Sequence, residues 1–216
     1  MTTESSSVRY TSADQLRTAF GSPSDLAARK ALPKLDKHCK AFIERAPFLT
    51  LSTANAAGKA DVSPRGDQPG FVLVLDDNTL FIPERPGNAR YDTLLNIIEN
   101  PNVGLLFFVP GIEDMLRVNG TASVVYDPVL QARCVVNGKL PKVGIRIHVD
   151  EAFLHCAKAL KRSRIWDSST QRSRNELPSL GKMILEQTAA ANEIPTAETI
   201  TTVDQYIEDN YRNELY

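Results

Sequence analysis

No run of this 216-residue chain approaches the roughly 18 consecutive apolar residues of a membrane span, so a membrane-embedded protein is not indicated. The first twelve residues are rich in Ser and Thr and lack the apolar run of a secretory signal. Cysteine is scarce. Cys39, Cys134 and Cys156 are odd in number, far apart and form no Cys-x-x-Cys pair, which argues against a disulfide framework and a structural zinc site and fits a reducing cytoplasm. Charge of one sign is missing as well: 25 Lys and Arg against 26 Asp and Glu leave a net charge of -1, too little to draw in a nucleic acid or an anionic membrane. There is no G-x-S-x-G, no H-E-x-x-H, no Walker loop and no G-x-G-x-x-G opening a helix. His38, His148 and His155 are not spaced as metal ligands, and no metal is expected.

What is present is an ordinary globular composition, 42% hydrophobic and 24% charged, able to bury a core without staples. Residues 1–46 read as a helical N-terminal extension, with Ser12 and Gln15 spaced as a capping box, Ser24 and Asp25 opening a second piece, and Asp36 leading into a third over 37–45. From Phe48 the period changes to that of strands. Segments 48–54 and 59–63 flank the turn Asn55-Ala56-Ala57-Gly58, and 71–75 and 79–82 flank Asp76-Asp77-Asn78, giving two hairpins. Asn88 is placed as N-cap of a helix over 89–99, in which Tyr91, Leu94, Leu95 and Ile98 recur at helical spacing. Strands follow at 103–109, 115–126 and 143–149, and helices at 152–164, 180–191 and 203–212. Hairpin-linked strands with one intervening helix predict a mainly β, α+β fold, a six-stranded antiparallel barrel and not a Rossmann sheet. The expected division is a barrel core over 47–167 and an acidic helical C-terminal extension over 168–216.

Cations stand where strands end: Arg65, Arg85, and Arg90 just after Asn88. A helix N-terminus offers unpaired N–H groups to an anion, so Gly87-Asn88-Ala89-Arg90 is either a phosphate cradle or a plain N-cap beside exposed arginines. Asp67 is either part of that site or the ion-pair partner of Arg65, and Gly66 either admits a flat ligand or makes a turn. Arg117 faces opposite to Leu116 and Val118, towards solvent or a pocket, and Gly120 in mid-strand marks a bulge or a close ligand. Lys158, Arg162, Ser163 and Trp166 gather near His155 and Cys156 at helical spacing. Charge is segregated further on: 142–175 carries eight Lys and Arg against three acids, and 176–216 carries eight acids against two bases. The acidic tail has three places open to it, over a cleft, in a subunit contact, or in solvent.

In order along the chain, Phe48-Leu-Thr-Leu-Ser-Thr-Ala54, Gly58-Lys-Ala-Asp-Val-Ser-Pro-Arg-Gly-Asp67, Pro69-Gly-Phe71, Pro86-Gly-Asn-Ala-Arg-Tyr-Asp-Thr-Leu-Leu-Asn-Ile97, Asn100-Pro-Asn-Val-Gly-Leu-Leu-Phe107, Leu116-Arg-Val-Asn-Gly120 and His155-Cys-Ala-Lys-Ala-Leu-Lys-Arg-Ser-Arg-Ile-Trp166 resemble the pyridoxamine 5'-phosphate oxidase-like FMN-binding split-barrel family, in particular its probable FMN-dependent branch. The resemblance implies a homodimer with one FMN in each of two clefts at the subunit interface. It also implies that Ser63, Arg65, Gly66 and Asp67 border the flavin, that Arg85, Asn88 and Arg90 hold its phosphate, and that Arg117, Lys158, Arg162, Ser163 and Trp166 close the cleft, in part from the partner. The function it implies is an FMN-dependent oxidoreductase acting on a small organic substrate or a nicotinamide donor. The alternatives are a non-turning-over electron carrier or redox sensor, and a haem- or deazaflavin-binding split-barrel protein, for which the His155-Cys156 pair stands. No catalytic base is identified; His155 is either that or a packed histidine. The chain departs from the pattern at Ala89 and Ala157, and Trp166 is followed by Asp167-Ser168-Ser169-Thr170-Gln171-Arg172 in place of an Arg-x-His motif, so vitamin B6 oxidation is not supported.

Overall fold

The computed structural model describes residues 7–190 and 193–216. Half of the Ser/Thr-rich N-terminus and Ala191, the expected end of a helix, lie outside them. Three short helices come first, α1 (Ala13–Phe20), α2 (Asp25–Arg29) and α3 (Lys37–Arg45). Their starts are set by side chains that satisfy orphan amides: Ser12 accepts from Gln15 N, Ser24 from Ala27 N, and Asp36 from both His38 N and Cys39 N. Neither α1 nor α2 buries a residue, whereas α3 buries Cys39 and Ile43 against the sheet. Burial and the Asp36 carboxylate push the Cys39 thiol up to about 11, so it packs as an apolar group.

The sheet has seven strands, one for each segment named above and one more than the expected six-stranded barrel: β1 (Phe48–Ala54), β2 (Ala60–Gly66), β3 (Leu73–Val74), β4 (Thr79–Pro83), β5 (Asn102–Phe108), β6 (Met115–Val125) and β7 (Gly144–His155). Every segment named above contributes, although 71–75 pairs through Leu73 and Val74 alone in the strand. All pairings are antiparallel, in the order β2-β1-β5-β6-β7-β4-β3, and the sheet forms a split barrel whose two edges are β2 and β3. Alternation puts Leu49 and Leu51 of β1, and Val103, Leu105 and Phe107 of β5, into one core with Leu116, Val118, Ile145, Ile147 and Val149. In β4 both faces are covered, because α5 (Pro128–Ala132) lays Leu130 against Phe81 on the outer side.

Two expectations are corrected. Helix α4 runs over Asp92–Glu99 and not from 89, since Ala89 and Tyr91 adopt left-handed φ values of 57° and 58°, and Asn88 Oδ1 caps only a turn at Arg90 N. The segment from 152 is strand before it is helix: β7 continues to His155, paired residue by residue with β6 and bridged at Ala152 to Leu32, and α6 covers only Lys158–Ser163. Long-range pairing overrides local helical spacing there. The C-terminal part holds α7 (Leu180–Thr188) and α8 (Ala197–Asn213), longer than the 203–212 expected and capped by Thr196. They dock through Gly181, whose N–H donates to Asp204 Oδ1 at 2.9 Å. Among the described residues no helix is long and apolar enough to cross a membrane.

One pH effect follows from the β3–β4 turn. Lys40 and Lys34 reach Asp77 at 2.6 and 3.0 Å and hold its carboxyl down to about 2. A carboxyl depressed in the folded state stabilises above its ordinary value of 3.8, and that contribution is lost as the pH falls towards 2. Asp77→Asn is therefore expected to lower the melting temperature at pH 7, with the difference from wild type closing between those two values. A difference that persists at pH 2 contradicts this.

Candidate functional site

The split of the barrel is where the candidate residues meet. Strand β2 carries Ser63, Arg65 and Gly66 to one side of it, and the chain leaving β4 carries Glu84 and Arg85 to the other. The two sides are joined by ion pairs: Arg65 Nη1 to Glu84 Oε2 at 2.5 Å and Arg85 Nε to Asp67 Oδ2 at 2.7 Å. Arg65 is thus paired with Glu84, and Asp67 with Arg85. The Asp67 side chain is 1% exposed and that of Arg85 17%. Arg85 Nη1 also donates to Cys134 O at 2.8 Å, which fixes the guanidinium plane.

Two cavities of about 600 and 550 Å³ open on this seam and share the 84–88 segment, Tyr91, Leu94 and Tyr216, forming one cleft. Ser63, Arg65, Gly66, Asp67, Arg85, Asn88 and Arg90 all line it. Phe71 and Leu94 give it apolar walls, and Lys139 and Lys142 bring cations to its second half. Polar groups differ in what they leave free. Ser63 donates to Asp61 Oδ2 and accepts from Thr93, so its proton is committed. Arg65 Nε is buried with no partner among the described residues. Arg90, 70% exposed, spends Nε on Asp92 at 2.7 Å, and both Nη groups remain for another acceptor. A Cβ at Gly66 would meet Phe48 and Pro47 at ordinary contact distance, so sterics do not demand glycine there. The cradle expected at a helix N-terminus is displaced: α4 begins beyond Tyr91, and Asp92 stands in its first turn.

The other five candidates lie elsewhere. Arg117 faces outward as alternation requires; its guanidinium lies 5.2 Å from the centre of the Phe153 ring and donates to Asn119. Lys158 and Arg162 are exposed on α6, Ser163 donates to Leu160 O, and Trp166 Nε1 donates to Ile112 O at 3.0 Å. None of them lines the cleft. His155 packs its ring against Phe153 at 4.9 Å between centroids, and burial, with Lys30 and Arg117 nearby, holds its imidazole below the usual range. It too stands outside the cleft. Among the described residues no three His, Cys, Asp or Glu side chains gather as a metal site.

Sequence reasoning missed Glu84 and Tyr216. Glu84 was signalled by the opposite charge beside Arg85. Tyr216 reaches Asp67 across 149 positions, and no local pattern announces it: its hydroxyl donates to Asp67 Oδ1 at 2.8 Å, its ring lies 5.4 Å from the Arg85 guanidinium, and its main-chain oxygen accepts from Lys139 Nζ. The hydrogen bond to the Asp67 carboxylate, with partial burial, keeps the phenol above its usual range and hence a donor at neutral pH.

The chain is similar to a family model described as pyridoxamine 5'-phosphate oxidase over residues 35–156, more than half of its length. Among solved structures, it is similar to HupZ of Group A Streptococcus at 20% identity, over 56% of this chain and 93% of that one, with a TM-score of 0.47. General stress protein 26 of Bacillus anthracis aligns at 21% identity over 53% and 88%, TM-score 0.42. An FMN-binding protein of Syntrophomonas wolfei aligns at 13% over 54% and 88%, TM-score 0.41. No curated protein matches the chain.

Proposed function

Since the chain belongs to the pyridoxamine 5'-phosphate oxidase family, we propose that it is an FMN-dependent oxidoreductase acting on a small organic substrate or a nicotinamide donor, with the flavin held in the seam cleft. The observation that carries this reading is the buried, unpartnered Arg65 Nε in a cleft lined by seven of the residues expected to touch the cofactor. A buried donor without an acceptor is costly, and a ligand oxygen or nitrogen would relieve it. The cleft's size suits the group, since ligand pockets run to several hundred Å³.

Arg65 would donate through Nε to the ring system, and Arg90 would offer its free Nη groups to the phosphate. Phe71 and Leu94 would exclude water from the ring. When bound, FMN supplies the capacity to accept and return a hydride, and the chain supplies orientation and charge. The arginines of the seam are already balanced by Asp67 and Glu84, and Lys139 is engaged by the Tyr216 main-chain oxygen, so the anion would rest chiefly on the Nη groups that Arg90 does not spend on Asp92 and on Lys142 at the far side. A homodimer is part of the proposal: Arg117, Lys158, Arg162, Ser163 and Trp166 would reach a flavin from a second copy. Leu95 and Ile98 of α4, 55% and 72% exposed, and Val62 of β2, 62% exposed, support such a contact.

Purified protein is expected to show a flavin absorption band, and denaturation to release FMN identified by mass. A colourless protein that takes up no added FMN overturns the proposal. Arg90→Ala should weaken FMN binding about tenfold in a fluorescence titration, the low end for a charge-assisted bond because this guanidinium is mostly exposed. Folding should be nearly unaffected. Unchanged affinity removes Arg90 from the phosphate site. Steady-state oxidation of a donor separates the oxidoreductase from a flavin carrier, which would be reduced reversibly without turnover.

A further inference from the structure

The segment after α8 brings Leu215 and Tyr216 back to the barrel seam, where Tyr216 lines both halves of the cleft. The residue is held at three points of different chemistry, two on its side chain and one on its main chain. Its hydroxyl donates to Asp67 Oδ1, which also accepts from Gln68 N at 2.7 Å while Arg85 takes Oδ2; the guanidinium of Arg85 lies over the ring; and Lys139 donates to the main-chain oxygen beyond it. Asp67 is almost wholly buried, and a carboxylate oxygen has lone pairs for two donors, so Oδ1 beside Gln68 N favours a second donor over an apolar group. Arg85 is locked from behind by Cys134 O, which presents its face to whatever aromatic ring lies there.

We propose that this part of the cleft is a recognition subsite for a hydroxyaryl group carrying a carbonyl or carboxylate oxygen a few bonds from the ring, and that Tyr216 fills it as an internal occupant which such a molecule displaces. The three contacts select three features in one ligand: a phenolic donor, a planar ring and a distal acceptor. Each is met by Tyr216 through a tether of one segment, so an external molecule must compete with a group present at high effective concentration. Removing the side chain vacates the hydroxyl and ring contacts, while Lys139 keeps the main-chain oxygen, and should therefore raise affinity for the hydroxyaryl part of the ligand. The inference rests on the geometry around Tyr216 and goes beyond the flavin reading; Asp67, Arg85 and Lys139 belong to the chain whether or not FMN binds.

The probe is 3-(4-hydroxyphenyl)propionate, which reproduces the ring, hydroxyl and acceptor spacing of a tyrosine residue, with 3-phenylpropionate as the partner lacking the hydroxyl. Calorimetric titrations with and without added FMN are expected to show at least tenfold tighter binding of the phenol to Tyr216→Ala than to wild type. In that variant the phenol should be preferred over 3-phenylpropionate by about tenfold or more, as for a hydrogen bond to a charged acceptor. In wild-type protein, saturating phenol should speed amide exchange at residues 214–216 as the tail is released. No gain on Tyr216→Ala, equal affinity for the two probes, or unchanged exchange in the saturated wild type each overturns the proposal. A failure to load FMN leaves all three comparisons intact and bears on the flavin reading alone.

Discussion

Asp67→Ala is expected to cost the folded protein about 3 kcal/mol, because it strands the Arg85 guanidinium without its counter-charge in a site where it is only 17% exposed. The bond from Arg85 Nη1 to Cys134 O survives and keeps the loss at the lower end of the range for breaking a buried pair. For a chain of this length that is a fall in melting temperature on the order of 10 °C. Asp67→Asn keeps an acceptor for the Tyr216 hydroxyl and loses the charge, so its melting temperature should fall between those of Asp67→Ala and wild type. Thermal melts of the three proteins test this. A shift in Asp67→Ala no larger than that of a surface substitution would show that the seam does not depend on the pair.

Gly120→Ala should be as damaging for a different reason. A Cβ built there lies 1.9 Å from His148 O, 3.0 Å from His148 C and 3.3 Å from the Val149 Cα. All three are backbone atoms of the neighbouring strand and cannot rotate aside. Asn119 pairs with Glu151 and Gly120 with Val149, so Asp150 is the extra residue of a bulge in β7, and the two backbones approach at that point. Opening the pair to admit a methyl group should cost about 3 kcal/mol, the upper end of overpacking penalties. Gly87→Ala is the control: none of the described residues comes within 4 Å of a Cβ built there, and its stability should stay close to wild type. Equal melts for the two variants would refute the argument.

Gly120 also marks the limit of what the sequence could say. A glycine in a strand pattern announces a bulge or a close ligand, and the same residue type serves both; here the neighbour is the His148 carbonyl. The hairpins were legible because their information is local. Phe48 to Ala54 alternates, Asn55 to Gly58 turns, and Ala60 to Gly66 returns in register. The extension of β7 was not legible, because Ala152 to His155 are strand only where β6 offers partners a full strand away. The start of α4 failed for a subtler reason: Asn88 is a good cap, and it caps the wrong turn, since Tyr91 takes the left-handed conformation and resets the helix. As for the cleft, its arginines could be picked out from their positions at strand ends. The acids that balance them could be suspected. The tyrosine that occupies the cleft could not, because it arrives from the far end of the chain.

The two ion pairs of the seam carry an arrangement of signs. One side of the seam presents Arg65 and then Asp67; the other presents Glu84 and then Arg85. No ladder of main-chain bonds joins the two sides, because β2 and β4 are not neighbours in the sheet. Slid one step past one another, the two sides would set Arg65 against Arg85 in one direction or Asp67 against Glu84 in the other. The seam thus works like the teeth of a keyed connector: it closes in one alignment, and that alignment sets the mouth of the cleft.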